Sequence, residues 1–344
     1  MRIALIGCGG VGKSFLKLVG EKNKNPINKE LTINYIIGSK GGIYDDKGVN
    51  CLEVAKFLEL NNKIYEYPHG GKREINFEYL MEKMDIDILI ELTPTNKDTG
   101  EPAITYMRRV LKKRIHVVTG NKGPILLAYN ELNTLASKNG VQLGIGCTTG
   151  GALPSINAGL IDMAGAEILS IEGILNGSTN FILREMAESK VEYPEALEKA
   201  QKLGIAETDP SLDVNGWDTA SKLLILTNVL MGKDKKMEDI TVEGITNLNV
   251  EDITTAIENG EKYKLIGMTQ VKDGKHIMTV KPQRIKSDHP LYGVEGKNKA
   301  VKYTSDILGD LTVIGGASGT LPAAASIYRD IINIMRGYKF SNGN

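Results

Sequence analysis

Short apolar runs alternate with amphipathic stretches through residues 1–120. The runs lie at residues 2–6, 31–37, 86–92 and 116–119, and each has the length of a buried strand. Residues 13–19, between the first two runs, instead repeat their apolar positions at helical spacing. Alternating strands and helices of this kind predict an α/β domain with a Rossmann-type, doubly wound parallel sheet.

The pattern changes after residue 140. Residues 171–175 form a strand-like run, and short runs at residues 276–280 and 300–303 follow, separated by turns such as Asp273-Gly274. This pattern predicts an α+β domain with a mixed or antiparallel sheet. Residues 316–344 begin as a loop of small residues and continue as a helix, which we expect to return to the first domain. The predicted domains are therefore 1–140 with 316–344, and 141–315.

An almost wholly apolar helix predicted at residues 217–230 contains two charged residues. Asp218 and Lys222 stand four residues apart, so they lie on the same side of the helix. Burying ionised groups is costly unless they are paired and hydrogen-bonded. The pair is either an ordinary helix salt bridge or part of a functional site. The apolar surroundings favour the functional site, and Glu207 and Asp213 add two acids just before the helix.

The charge balance argues against a nucleic-acid partner. Lysine and arginine together number 42, as do aspartate and glutamate, in a chain of 344 residues. Such a chain has no overall basic field, and a small-molecule partner is the better expectation.

Cysteine and histidine spacing excludes disulfide frameworks and catalytic metals from the prediction. The three cysteines are scattered and the four histidines lie far apart, without ligand spacing. The apolar run at the N-terminus is too short for a signal peptide, and no run approaches the length of a membrane span. We therefore expect a cytoplasmic protein with no membrane partner.

A glycine-rich turn directly follows the first predicted strand. In a dinucleotide-binding unit Gly7 allows the tight turn, Gly9 lets the backbone approach the pyrophosphate, and Gly12 lets the helix pack on the strand. Gly10 and Val11 complete the turn, where the helix N-terminus offers backbone donors. The alternatives are a purely structural turn and a site for a methyl-donor cofactor.

Polar residues follow the other predicted strands of this sheet. Ser39 and Lys40 stand where an NAD-binding unit usually has an acid, so they favour the 2′-phosphate of NADP over NAD. Thr93 follows the third strand and is expected near the nicotinamide. Lys122 follows the fourth strand and points to the same edge. Each lysine could instead be an ordinary solvated loop residue.

Five segments, in this order along the chain, give the sequence a family resemblance. They read GCGGVG from Gly7, ELTPTN from Glu91, VVTGNKGP from Val117, GILNGSTNFIL from Gly173 and LGIAETDPSLDVNGWDTASKLLIL from Leu203. Together they resemble homoserine dehydrogenase. The resemblance implies a nucleotide-binding domain, a catalytic and dimerisation domain, and NAD(P)-dependent interconversion of L-homoserine and L-aspartate 4-semialdehyde in threonine and methionine biosynthesis. It also implies a homodimer.

The resemblance further implies roles for individual residues. Lys222 and Lys122 match lysines that are candidates for proton transfer. Acids that bind the substrate's amino group and hydroxyl correspond to Glu207, Asp213 and Asp218. The turn that holds the substrate carboxylate corresponds to Gly177 and Ser178, in a stretch rich in hydrogen-bond donors.

Three features limit this transfer. Ile205 stands where some relatives place a tyrosine near the substrate, so one substrate contact is expected to be absent. Gly146 stands where many relatives have a glutamate that helps to bind a monovalent cation, although the carbonyls of Thr149, Gly151 and Leu153 could still bind sodium. The chain ends soon after the returning helix, so we expect no appended regulatory module and no threonine feedback through one.

The chemistry requires a group that takes the hydroxyl proton as hydride leaves the alcohol carbon. An unperturbed lysine has a pKa of about 10.4, so we expect alcohol oxidation to be favoured at alkaline pH. We predict that Lys222 is the acid/base, that Lys122 assists, and that Asp218 orients the substrate hydroxyl and Lys222 together.

Three rival classes remain open. A nicotinamide enzyme of similar architecture could act on another substrate, such as aspartate or a sugar. A cofactor-sensing protein would bind the cofactor without turnover. A methyltransferase would usually keep an acid where this chain has Ser39 and Lys40.

Overall fold

The computed structural model describes residues 1–21, 30–61 and 63–340. The chain divides into two compact units, residues 1–152 with 319–344, and residues 153–318. The last four residues of the predicted C-terminal segment, 341–344, lie outside the described residues. Both divisions fall later than the predicted ones. The first does so because residues 143–144 pair with the sheet of the first unit.

The first unit contains a seven-stranded sheet in the order β4-β3-β2-β1-β5-β6-β7. Its strands are β1 (Arg2–Ile6), β2 (Thr32–Gly38), β3 (Gly41–Tyr44), β4 (Gly71–Lys72), β5 (Ile88–Glu91), β6 (His116–Thr119) and β7 (Leu143–Gly144). The pairs joining β2, β1, β5, β6 and β7 are parallel, which confirms the Rossmann-type prediction. Strands β3 and β4 pair antiparallel at one edge, and the sequence pattern did not predict them.

Helices connect and flank these strands. They are α1 (Gly10–Glu21), α2 (Cys51–Leu60), α3 (Phe77–Lys83), α4 (Ala103–Leu111), α5 (Lys122–Lys138) and α6 (Cys147–Gly150). Asparagine caps begin three of them, because the side chains of Asn50, Asn76 and Asn121 accept from backbone N–H groups of the first turn. Helix α1 begins at Gly10, earlier than the predicted start at residue 13, so the glycine-rich turn itself forms the helix N-terminus.

The second unit contains a six-stranded mixed sheet in the order β13-β12-β8-β10-β11-β9. Its strands are β8 (Ile168–Ile174), β9 (Ile240–Val242), β10 (Glu261–Lys272), β11 (Lys275–Lys286), β12 (Lys299–Ser305) and β13 (Asp310–Gly315). Only β9 and β11 pair parallel among these described strands. The predicted turn at Asp273-Gly274 joins β10 to β11, where both residues have positive φ, as a tight two-residue hairpin requires.

The helices of the second unit are α7 (Ser155–Asn157), α8 (Gly177–Ser189), α9 (Tyr193–Lys202), α10 (Ser211–Val214), α11 (Trp217–Leu230) and α12 (Val250–Glu258). Helix α11 has the predicted bounds, and Leu223, Leu224 and Leu226 are among its many buried residues. It packs on the sheet so closely that a Cβ at Gly267 of β10 would lie 3.0 Å from Thr219. The sheet therefore covers the apolar body of the helix that carries Asp218 and Lys222.

Helix α13 (Thr320–Met335) belongs to the first unit. The Ser14 hydroxyl of α1 donates to the Thr320 hydroxyl at 2.8 Å. The start of α13 therefore lies beside the glycine-rich turn. None of the helices built from the described residues combines the length and the apolar character needed to cross a bilayer.

Candidate active site

A cavity of about 1000 Å³ lies over the glycine-rich turn of the first unit. Predicted cofactor residues from three separate segments line it: Gly7, Gly9, Gly10, Val11, Gly12, Ser39, Lys40 and Thr93. The three segments meet because β1, β2 and β5 are neighbouring parallel strands whose carboxyl ends share one edge.

The glycines of the turn serve two purposes. Gly7 and Gly12 allow close backbone packing, whereas Gly9 leaves open space for a cofactor. Gly7 has a φ of +104°, and a Cβ there would lie 2.2 Å from the carbonyl oxygen of Leu92. A Cβ at Gly12 would lie 2.2 Å from the carbonyl oxygen of Gly7. At Gly9, by contrast, a Cβ would meet no atom of the described residues within 4 Å, apart from its chain neighbours. This open backbone beside the N-terminus of α1 fits a pyrophosphate.

The cavity lining includes a cation, Lys63, that the sequence analysis did not select. Lys63 and Tyr65 line the cavity together with Ser39 and Lys40. The Arg73 guanidinium lies 4.0 Å from the centre of the Tyr65 ring and donates to the Tyr65 hydroxyl at 3.0 Å. These residues come from the segment between α2 and α3, which contains a short 3₁₀ helix at Ile64–Glu66 and strand β4. The segment packs directly on the end of β2, where a Cβ at Gly38 would lie 3.1 Å from the Ile64 side chain, and local sequence patterns could not identify such a long-range contact.

Cys8 is the thiol of this turn. It lines the cavity, and burial raises its pKa to about 12, although the charge of Lys13 acts in the opposite direction. Its Sγ donates to the carbonyl of Ile37 at 3.7 Å. The thiol is therefore neutral at physiological pH and adds no charge to the cofactor cavity.

Lys122 is not among the residues lining this cavity within the described part of the first unit. It begins helix α5 directly after the cap Asn121, whose amide donates to the Thr93 carbonyl at 3.1 Å. Lys122 is therefore linked, through the hydrogen bond of its neighbour Asn121, to Thr93, which was expected near the nicotinamide. A role of Lys122 in proton transfer stays a prediction.

In the second unit Asp218 and Lys222 form a close ion pair. The Lys222 amine lies 2.6 Å from the Asp218 carboxylate, and both side chains are 14% exposed. Lys222 also donates to the backbone carbonyl of Leu175 at 2.7 Å. A pair this well enclosed needs hydrogen bonds beyond the mutual one, and the turn after β8 supplies them.

Asn176 is a residue of this cluster that the sequence analysis did not select. Its amide nitrogen donates to the Asp218 carboxylate at 2.9 Å, and its amide oxygen accepts from the backbone N–H of Thr179, capping α8. The cap position was readable from the Asn-x-x-Thr pattern, but the contact with Asp218 was not, because 42 residues separate the two.

Gly177 and Ser178 form the first turn of α8. A Cβ at Gly177 would lie 2.7 Å from the carbonyl oxygen of Lys297, so glycine is required for this close approach. The Ser178 hydroxyl donates to the carbonyl of Ile205 at 2.9 Å. The N-terminus of α8 therefore lies next to the segment that leads to Glu207.

The loop before β12, which packs against Gly177 through Lys297, is held by a buried lysine. Lys264 donates to the carbonyl of Val294 at 2.6 Å and to the side-chain oxygen of Asn180 at 3.0 Å. Burial lowers the pKa of Lys264, which Glu295 partly offsets. These bonds fix the residues before Lys297 against α8, and so they support the turn at Gly177.

The other two predicted acids lie outside this hydrogen-bonded cluster among residues 153–318. Glu207 is exposed, and its backbone carbonyl accepts from the Gln201 amide at 3.0 Å. Asp213 is half-buried in the short helix α10. Both precede α11, but the structure does not bring their carboxylates to Lys222.

The predicted cation carbonyls remain untested. Thr149 is buried near the end of α6, Gly151 follows with a φ of 62°, and the Leu153 carbonyl accepts from the backbone N–H of Ser155 at 2.8 Å. No group of three or more acidic, cysteine or histidine side chains suited to a metal occurs among the described residues.

Two family models match the chain. The model described as the homoserine dehydrogenase NAD binding domain matches residues 7–145, and the model described as homoserine dehydrogenase matches residues 154–332. The chain belongs to the homoserine dehydrogenase family. It is an NAD(P)-dependent oxidoreductase of that family.

Homoserine dehydrogenases from several organisms are similar over almost the whole chain. The protein of that name from Methanocaldococcus jannaschii is 38% identical over 342 residues, which cover 98% of this chain and 100% of that protein. The NAD(+)-dependent homoserine dehydrogenase of Pseudomonas canavaninivorans is 34% identical, covering 97% of this chain and 96% of that protein.

A solved structure shows the same fold with a cofactor. The mutant of a hyperthermophilic archaeal homoserine dehydrogenase in complex with NADPH has a TM-score of 0.83 and 28% identity, covering 99% of both chains. The family therefore includes both an NAD(+)-dependent relative and an NADPH complex.

Proposed function

We propose that this protein interconverts L-homoserine and L-aspartate 4-semialdehyde, using NADP or NAD, with Lys222 as the acid/base. The observation that carries the proposal is the enclosed Asp218–Lys222 pair, held by Leu175 and Asn176. When bound, the nicotinamide accepts the hydride from the alcohol carbon or returns it to the aldehyde.

Lys222 moves the hydroxyl proton in the proposed reaction. A lysine ammonium has three donors, and Lys222 gives one to Asp218 and one to the Leu175 carbonyl. The third is assigned to the substrate oxygen. The neutral amine takes the hydroxyl proton during oxidation, and the ammonium returns it during reduction. Asp218, fixed by Asn176, keeps the amine in position.

The first turn of α8 is assigned to the substrate carboxylate. Its backbone N–H groups at Gly177 and Ser178 face outward from a helix N-terminus, where the dipole favours a negative charge. Glu207 and Asp213 supply negative charge for the substrate ammonium. Lys122 is assigned an assisting role in proton transfer.

An absorbance assay tests the proposed reaction. Purified protein mixed with L-homoserine and NADP, or NAD, is expected to form reduced nicotinamide, faster at alkaline pH. L-Aspartate in place of L-homoserine is the matched control and is expected to give no signal. Turnover of aspartate, or silence with homoserine and with the semialdehyde in reverse, would contradict this substrate assignment.

Lysines that line the cofactor cavity support a preference for NADP. Lys40 and Lys63 line the cavity beside Ser39, and no acid from the end of β2 is among the described lining residues. A 2′-phosphate would find Lys40 there, together with Lys63, which is also paired with Glu66 at 3.1 Å. The ribose hydroxyls of NAD would lack their usual carboxylate acceptor.

Replacing Lys40 with alanine is expected to raise the KM for NADP by about tenfold, because one charged contact with the 2′-phosphate is lost. The KM for NAD should stay within twofold of that of the parent protein. Initial rates with both cofactors measure the effect. Lys47→Ala, an exposed lysine outside the cavity lining, is the control. Equal changes for the two cofactors would contradict the 2′-phosphate assignment.

We also propose a homodimer in the cytoplasm and sodium binding by the carbonyls of Thr149, Gly151 and Leu153. Three exposed apolar side chains at the β12–β13 edge support a dimer contact: Ile307, Leu308 and Ile314 are 70%, 53% and 54% exposed. Sedimentation of the purified protein at two concentrations tests the dimer.

A further inference from the structure

Glu91 is a buried carboxylate to which the proposed reaction gives no role. It is the last residue of β5 and is 0% exposed. Burial raises its pKa, and hydrogen bonds from Thr93 and Thr119 oppose that rise. A carboxylate in such a place is costly unless its oxygens are well provided with donors.

Each oxygen of Glu91 accepts from a different strand end. One oxygen accepts from the backbone N–H of Thr93 at 2.8 Å and from the Thr93 hydroxyl. The other oxygen lies 2.9 Å from the Thr119 hydroxyl, which it shares as a donor with the Glu91 backbone carbonyl oxygen, also at 2.9 Å. Thr93 follows β5 and Thr119 ends β6, so the carboxylate joins the carboxyl ends of two neighbouring strands.

The connection continues to the helix that begins at Lys122. The Thr119 hydroxyl oxygen accepts from the backbone N–H of Asn121 at 3.0 Å. Asn121 then donates to the Thr93 carbonyl at 3.1 Å and accepts from the backbone N–H of Gly123 at 3.1 Å. A closed network therefore joins Glu91, both strand ends and the cap of α5.

We propose that Glu91 is a positioning residue, whose carboxylate holds Thr93 and the turn at Asn121 in the geometry that receives the nicotinamide half of the cofactor. The inference rests on the proposed function, because it assumes that the nicotinamide binds beside Thr93. Glu91 itself touches neither substrate nor cofactor in this scheme. Its effect is transmitted by the residues that it holds.

A carboxylate suits this place better than a neutral side chain of the same shape. Three donors converge on Glu91: the Thr93 N–H, the Thr93 hydroxyl and the Thr119 hydroxyl. Glutamine would offer a single acceptor oxygen and would turn an NH₂ group toward one of these donors. Glu91→Gln therefore changes the network while conserving volume.

The test compares the binding of NADPH with that of 2′,5′-ADP, which lacks the nicotinamide half. Both dissociation constants are measured by fluorescence titration, directly for NADPH and by displacement for 2′,5′-ADP. For Glu91→Gln we expect NADPH to bind about tenfold more weakly, as for the loss of one charge-assisted hydrogen bond, and 2′,5′-ADP to bind within twofold of the parent. If NAD proves the better cofactor, NADH and ADP form the equivalent pair.

Turnover supplies a second readout. The variant is expected to lower kcat and raise the cofactor KM while leaving the KM for homoserine unchanged. Thr119→Val, which removes the hydroxyl between Glu91 and Asn121, is expected to give a smaller change of the same kind and serves if Glu91→Gln does not fold. Glu131→Gln, which removes a surface carboxylate paired with Arg108, is the control that should change nothing.

Each outcome decides the inference. Selective weakening of NADPH supports it. Equal weakening of NADPH and 2′,5′-ADP would indicate a general structural role, and unchanged binding of both would indicate no role; either overturns it. The titration needs no turnover. A protein that binds NADPH but does not oxidise homoserine would therefore contradict the proposed function, while the titration would still test the role of Glu91.

Discussion

Replacing Lys222 with methionine is expected to lower kcat/KM for L-homoserine by about a thousandfold, within the range for the loss of a general acid/base. Methionine keeps much of the apolar stem of the side chain but removes the amine that contacts Asp218 and Leu175. The proton of the substrate hydroxyl then has no acceptor. Initial rates in both directions measure the loss.

The same variant is expected to bind NADPH normally. The residues lining the cofactor cavity all belong to the first unit, whereas Lys222 belongs to the second. Retained NADPH binding therefore separates a lost proton acceptor from a protein that has failed to fold. Asp218 also keeps its hydrogen bond from Asn176, which limits the cost of leaving its carboxylate without the lysine.

Lys202→Met is the matched control for Lys222→Met. Lys202 forms an ion pair with Glu198 at 2.6 Å and the same four-residue spacing, but on the surface, where the two side chains are 70% and 63% exposed. Such exposed pairs contribute about 0–1 kcal/mol, so this variant should keep its activity and nearly all of its stability. Normal turnover by Lys222→Met would remove Lys222 from its proposed role.

The parts of the fold predicted from sequence are those that depend on local patterns. Strands at residues 2–6 and 116–119 and the helix at residues 217–230 have their predicted bounds, because apolar runs and helical periodicity are read within one window. Strands β3 and β4 carry no such run. Gly41 and Gly71 begin them, and β3 forms by pairing with β2, while β4 forms by pairing with β3.

In the candidate site, too, the residues marked by a local sequence pattern could be predicted and the others could not. Asp218 and Lys222 stood out because two charges interrupt an apolar helix. Asn176 and Lys63 did not, because their importance depends on contacts with residues far away in the chain. Glu91 lies between these cases: an acid at the end of an apolar strand was visible, but its partners were not.

Alanine at Gly7 is expected to lower stability and alanine at Gly9 to weaken cofactor binding, although the two glycines belong to one motif. Gly7→Ala should lower the free energy of unfolding of the first unit by about 3 kcal/mol or more, because it combines a positive φ with a backbone clash. The φ is +104°, and the new Cβ would lie 2.2 Å from the Leu92 carbonyl oxygen. Thermal melts of the purified variant measure this loss.

Gly9→Ala should leave the stability within about 0.5 kcal/mol, because its Cβ meets no atom of the described residues within 4 Å beyond its chain neighbours. The new methyl group instead enters the cavity where the cofactor backbone is expected, so NADPH binding should weaken by about tenfold or more. Each variant is thus the control for the other. Normal NADPH binding by a well-folded Gly9→Ala variant would contradict the placement of the pyrophosphate over this turn. A Gly7→Ala variant with an unchanged melting temperature would contradict the packing of the turn against Leu92.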